Sequence, residues 1–118
     1  MDTIINSKTI KSTQMQILVN TDNHISGSAR LETYVTEMTE NSLKHYVDHI
    51  TRTVVYLSDL NADKEGSDDI QCKVEVRVKG MEPFIVEAKD ENQDKALASA
   101  LNKVQSRMKK IKGKMKEH

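Results

Sequence analysis

From residue 97 onward the apolar positions recur every three or four residues: Leu97, Ala100, Leu101, Val104, Met108, Ile111 and Met115. That spacing draws a single apolar stripe along an α-helix. Asp90 with Gln93 resembles a capping box at its start, and Gly113 weakens its last turns. Upstream the period drops to two. Across Gln71–Lys79 the residues Cys72, Val74, Val76 and Val78 alternate with Lys73, Glu75, Arg77 and Lys79, the pattern of an antiparallel strand with one wet face. Gly80 to Pro83 read as a turn and Phe84–Ala88 as a further strand. Ile50–Ser58, ITRTVVYLS, is β-branched and predicts another strand. The intervening DLNADKEGSDD has the composition of a long hairpin loop.

Nearer the start, Met15–Asn20 (MQILVN) places Met15, Ile17 and Val19 on one side of a short strand, and TDNHISGS reads as a loop. A helix follows. Ser28 caps it, Leu31, Tyr34, Val35 and Met38 fall at helical spacing, and Leu43 and Tyr46 extend the face to an end near Val47. Glu32, Glu37 and Glu40 occupy its polar side.

The predicted order is β-α-β-β-β-α, an α+β domain. A four-stranded mixed sheet with both helices packed on one face is the simplest way to bury both helical stripes. The first β-α-β is expected as a right-handed crossover and the remaining strands as a meander. Residues 1–14 are polar without a clear period and read as a flexible N-terminal extension, leaving one domain over 15–118.

Composition narrows the function. The single cysteine, Cys72, forms no internal disulfide and fits a reducing, cytoplasmic setting. No apolar run is long enough for a membrane helix, and the first residues lack the apolar core of a secretory signal. Tyr34, Tyr46, Tyr56 and Phe84 are all the aromatics, which argues against a surface built on base-stacking aromatic rings. The formal net charge of zero conceals a segregation. Residues 103–118 carry seven cations against Glu117, or +6, so the remainder sums to −6, much of it within Asp59–Asp69.

Beside the apolar stripe, Lys103, Arg107, Lys110 and Lys114 recur at i, i+4, i+7 and i+11, a basic row along one flank; Lys109, Lys112 and Lys116 line the other. A rigid row of amines suits a nucleic-acid backbone, because each displaces counterions from a phosphate. The plainer alternative is a solubilising helix surface near the negative end of the helix dipole, but such a surface usually interleaves Glu.

Other constellations are weaker. Asp59-x-Asn61-x-Asp63 copies the start of a calcium loop but places Lys64 where glycine is needed and Ile70 where glutamate is needed. His45 and His49 are four apart, yet the helix should end between them. Cys72 falls on the inward alternation and reads as an inert core thiol. No paired carboxylates, phosphate loop or Ser-His-Asp arrangement stands out, so no enzyme, metal, cofactor or small-molecule substrate is expected.

Three stretches carry a family resemblance: QILVNTDNHI, DHITRTVVYLSDLNADKEGSDDIQCKVEVRVKG and ENQDKALASALNKVQSRM. They resemble the ribosome hibernation-promoting factor and ribosome-associated inhibitor A family, in particular its short bacterial members. The V-x-L-S-D-x-N of Val55–Asn61 and the DD-x-x-C of Asp68–Cys72 are the most specific parts, and the resemblance spans about Met15 to Lys112. It implies a β-α-β-β-β-α fold similar to double-stranded-RNA-binding domains. It also implies binding to the small ribosomal subunit near the decoding region, inhibition of translation, and preservation of idle ribosomes under stress. Basic residues of both helices would meet ribosomal RNA: Lys103, Arg107, Lys109, Lys110 and Lys114 from the second, and only Arg30 and Lys44 from the first. Long members add a C-terminal dimerisation domain that this sequence does not show, so a monomer off the ribosome is expected. The competing expectation is a protein-interaction or regulatory module of the same fold that no longer binds the ribosome. It is favoured by the acidic first helix, the Asp-rich loop and an outward strand face with Val54, Tyr56 and Ile85.

Overall fold

A computed structural model describes residues 15–22, 25, 27–60 and 70–116. Its elements are β1 (Gln16–Thr21), α1 (Ala29–Leu43), a single 3-10 turn (Lys44–Tyr46), β2 (Ile50–Asp59), β3 (Ile70–Val78), β4 (Phe84–Asp90) and α2 (Gln93–Lys116). The order is the predicted one. One sheet runs β1-β2-β3-β4. β1 and β2 are parallel and are joined through α1; β2, β3 and β4 form an antiparallel meander.

Register explains the core. Val19, Val55, Val74 and Val86 stand opposite one another across all four strands, flanked by the rows Ile17-Thr53-Val76-Phe84 and Thr21-Leu57-Cys72-Ala88. The branched side chains suit a pleated surface and give a broad apolar floor for the helices. On α2 the floor meets Leu97, Leu101, Val104 and Met108, all buried; on α1 it meets Val35, Thr39 and Leu43. Removing each large apolar side chain from water contributes about 1.5–3 kcal/mol.

Three expectations are corrected. Tyr34 is not core: it is 38% exposed, and partial burial together with the nearby Asp94 carboxylate on the first turn of α2 raises the pKa of its phenol. The buried position on α1 is instead Thr39, whose hydroxyl donates to the Val35 carbonyl at 2.8 Å. Bonding back to the preceding turn gives a buried hydroxyl its partner. The cap of α2 is Asn92 rather than Asp90. Asn92 Oδ1 accepts from Lys95 N at 2.9 Å and its carbonyl from Ala96 N at 3.0 Å. Asp90 is unavailable because β4 continues through it, paired with Ile70. Finally, Val54 lies on the outer sheet face yet is only 6% exposed, in the row Leu18-Val54-Glu75-Ile85. The expected cap of α1 is present, with Ser28 Oγ accepting from Leu31 N at 3.0 Å. The extension over 1–14, the calcium-like residues Asn61, Asp63 and Lys64, and the Met115 side chain lie outside the described residues.

Candidate nucleic-acid interface

The basic stretch is helical throughout. α2 continues through Gly113 to Lys116, and the packed stripe holds it down as far as Met108 and Ile111. The cations from Lys103 to Lys114 therefore sit on a fixed rod, and their spacing along it is set by helical geometry.

The two flanks of that rod differ. One faces the β4 edge. Lys103 Nζ donates to the Glu87 carbonyl of β4 at 2.7 Å, and the Arg107 guanidinium lies over the Phe84 ring, 4.6 Å from its centroid. Lys110 and Lys114 continue the row past the end of the strand, beside the β3–β4 turn. The other flank faces α1. Gln105 Nε2 donates to the Ser42 carbonyl at 2.8 Å. Lys112 Nζ reaches the His45 carbonyl at 3.5 Å and lies 5.6 Å from the Tyr46 ring. Lys109, exposed, falls on this side between them. Among the described residues Arg107, Lys109, Lys110 and Lys114 form no ion pair. At the start of α2, by contrast, Lys95 pairs with Glu91, a bond that raises the pKa of the ammonium.

The β3–β4 turn completes a cleft with α2. Gly80, at φ 73°, makes the turn possible, and Met81 N closes it on the Val78 carbonyl at 3.1 Å. The cleft is an open groove of about 950 Å³ between Lys79, Met81 and Pro83 on the turn side and Arg107, Lys110 and Lys114 on the helix, with Phe84 and Ile111 also lining it. Lys79 is the residue that sequence reasoning missed. Along the chain it is one more outward position of β3, and only the hairpin brings it to the row on α2.

The two cations of α1 do not join this cluster. Arg30 lies in the first turn, beside Tyr34 and Glu37 in a shallow hollow, at the end where Tyr34 meets Asp94. Lys44 follows the helix, at the end where Lys112 reaches His45. Fourteen residues separate them, about 20 Å along the axis. The fold thus groups Lys103, Arg107, Lys110, Lys114 and Lys79. It sets Lys109 and Lys44 on the side of α1, and Arg30 at the far end.

Nucleophilic chemistry at the cysteine is disfavoured. Cys72 is fully buried, and burial pushes its thiol up to about 12, far from the thiolate needed for attack. Among the described residues no group of three or more His, Cys, Asp or Glu is placed to hold a metal ion, and no helix is long and apolar enough to cross a membrane.

Comparison with known proteins places this geometry. The fold is similar to the crystal structure of the Thermus thermophilus Protein Y N-terminal domain, at TM-score 0.66 and 16% identity over 82% of this chain and 99% of that one. It is also similar to a ribosomal subunit interface protein from Coxiella burnetii, at TM-score 0.63 and 17% identity over 84% and 99%. No curated protein sequence matches significantly. The family model described as sigma 54 modulation protein / S30EA ribosomal protein matches residues 18–116, from β1 to the last residue of α2, and the chain belongs to that family.

Proposed function

We propose that this protein is a non-enzymatic, ribosome-associated factor that binds the small subunit near the decoding region, inhibits translation and preserves idle ribosomes under stress. The observation that carries the reading is the row Lys103, Arg107, Lys110 and Lys114, fixed on a packed helix and, from Arg107 on, without carboxylate partners among the described residues. Family membership and likeness to a ribosomal subunit interface protein support the choice of polyanion. Each cation that meets a phosphate releases condensed counterions, so affinity must fall steeply with salt. Blocking is steric, and no bond is made or broken. Lys109, Lys44 and Arg30 are set apart from this row by the fold and are not part of the interface proposed here.

The test is co-sedimentation with bacterial small subunits at low and high salt. Binding at low salt and its loss at high salt are expected; no co-sedimentation at either would end the reading. Reversing Arg107 and Lys110 to Glu should reduce binding by about 100-fold or more. Circular dichroism should remain unchanged, because both side chains lie off the buried stripe.

A second reading, a protein-interaction module, draws on the outer sheet face, where Leu18, Tyr56 and Ile85 are exposed. Affinity capture from stationary-phase cells separates the two: small-subunit proteins in one case, a single non-ribosomal partner in the other.

A further inference from the structure

The cleft between the β3–β4 turn and α2 is more than a phosphate contact requires. Phosphates are met by amines on an open surface. Here the amines ring a hollow with an apolar lining that includes Met81, which is exposed, and Ile111. The volume of about 950 Å³ falls in the roughly 300–1,000 Å³ range of small-molecule sites. Its lining carries Lys79, Arg107, Lys110 and Lys114 against Glu82 alone, which selects an anionic occupant. Within it, one planar group is held ready. Phe84 is fixed in the core and the Arg107 guanidinium carbon lies over its ring, 4.6 Å from the centroid, so the ring backs the cation on one side. Arg107 is itself exposed and has no ion-pair partner among the described residues, which leaves the guanidinium open on the side away from the ring. A guanidinium plane is a stacking surface for a nucleobase. The scarcity of aromatic rings therefore does not exclude base stacking, because an arginine backed by a ring replaces the exposed ring.

We propose that this cleft seats one unpaired nucleotide of an RNA strand, its base stacked on the open side of Arg107 and its phosphates met by Lys79, Lys110 and Lys114. The inference rests on the RNA reading above and adds what that reading lacks: a preference for single-stranded, base-bearing RNA over a bare phosphate chain. A strand fits better than a free nucleotide, because the cationic row extends past the cleft to Lys103 and calls for further phosphates.

The test is fluorescence anisotropy of the full chain with a labelled RNA of six adenosines, the same six-residue backbone without bases, and a hexaglutamate peptide, at low salt. The base-bearing RNA should bind about fivefold or more tighter than the abasic one. Arg107→Lys, which keeps the charge and removes the plane, should abolish that ratio while circular dichroism stays unchanged. The proposal is overturned by equal binding of the two RNAs, by a ratio that survives in Arg107→Lys, by no binding of either, or by hexaglutamate binding as tightly as RNA. Small-subunit co-sedimentation of the unaltered protein is run alongside. A base preference without co-sedimentation upholds the cleft and removes the ribosome; co-sedimentation without a base preference removes the cleft alone.

Discussion

α1 and α2 cover the same face of one sheet and leave opposite charges on their outer surfaces. α1 buries Val35, Thr39 and Leu43 and carries Arg30 against Glu32, Glu37 and Glu40, a balance of −2. α2 buries a longer stripe and carries eight cations against Asp94, a balance of +7. Packing is decided by the apolar positions, and these are equivalent in kind on the two helices; what differs is the residue chosen where packing is indifferent. The helices also run side by side in the same direction, since Tyr34 meets Asp94 at one end and Lys112 meets His45 at the other. Their negative poles therefore lie together. α1 has no basic residue in its last turn but is capped by Lys44, and Lys112 of α2, resting on the His45 carbonyl, adds a second cation there. Some of the positive charge on α2 is thus structural. The row on its opposite flank has no such duty to α1, and it is the row proposed to meet RNA.

The largest stability effect that probes this contrast is truncation in the two stripes. Leu101→Ala should cost about 3 kcal/mol, read as a lower midpoint in urea unfolding. Leu101 lies mid-helix between Leu97 and Val104, where neighbours cannot close the void. Leu43→Ala, equally buried but at the end of α1, should cost less, because a helix terminus relaxes more readily. Equal losses would mean that the two helices are equally rigid. Below these come the caps. Asn92→Ala and Ser28→Ala each remove an acceptor from a backbone N–H and should cost about 1 kcal/mol. Asp90→Ala, by contrast, should leave the start of α2 intact, since Asn92 rather than Asp90 caps it.

These effects mark where the sequence could be read and where it could not. Period-two and period-3.6 patterns are local, so the element order and most of the buried set followed from them. The rotation of α1 about its axis is not local. Tyr34 and Thr39 flank the same stripe, and only the position of α2 decides that the phenol turns out to Asp94 while the threonine goes in. The cap of α2 failed for a related reason: Asp90 has the right chemistry, but pairing with Ile70 keeps it in the strand. In the candidate interface the row was legible, since its spacing is helical. Its sidedness was not. Lys103, Arg107, Lys110 and Lys114 look equivalent to Lys109 and Lys112 until α1 is placed against one flank, and Lys79 belongs to the cluster only through the hairpin.

The smallest expected effect is the sharpest test of that sidedness. Glu32 is exposed in the first turn of α1, at the end where Tyr34 meets Asp94. Arg107 lies thirteen residues further along α2, about 20 Å down the axis. At physiological ionic strength charges separated by more than about 8 Å are largely screened. If RNA is held on the β4 side of α2, Glu32→Lys should change small-subunit affinity by about twofold or less under those conditions, despite reversing a charge on a family member's helix. At about 0.01 M salt, where the screening length reaches about 30 Å, the same variant should bind detectably tighter. A severalfold gain at physiological salt would place phosphate within reach of α1 itself. The interface would then span both helices, with Arg30 rather than Lys79 as its outlying member.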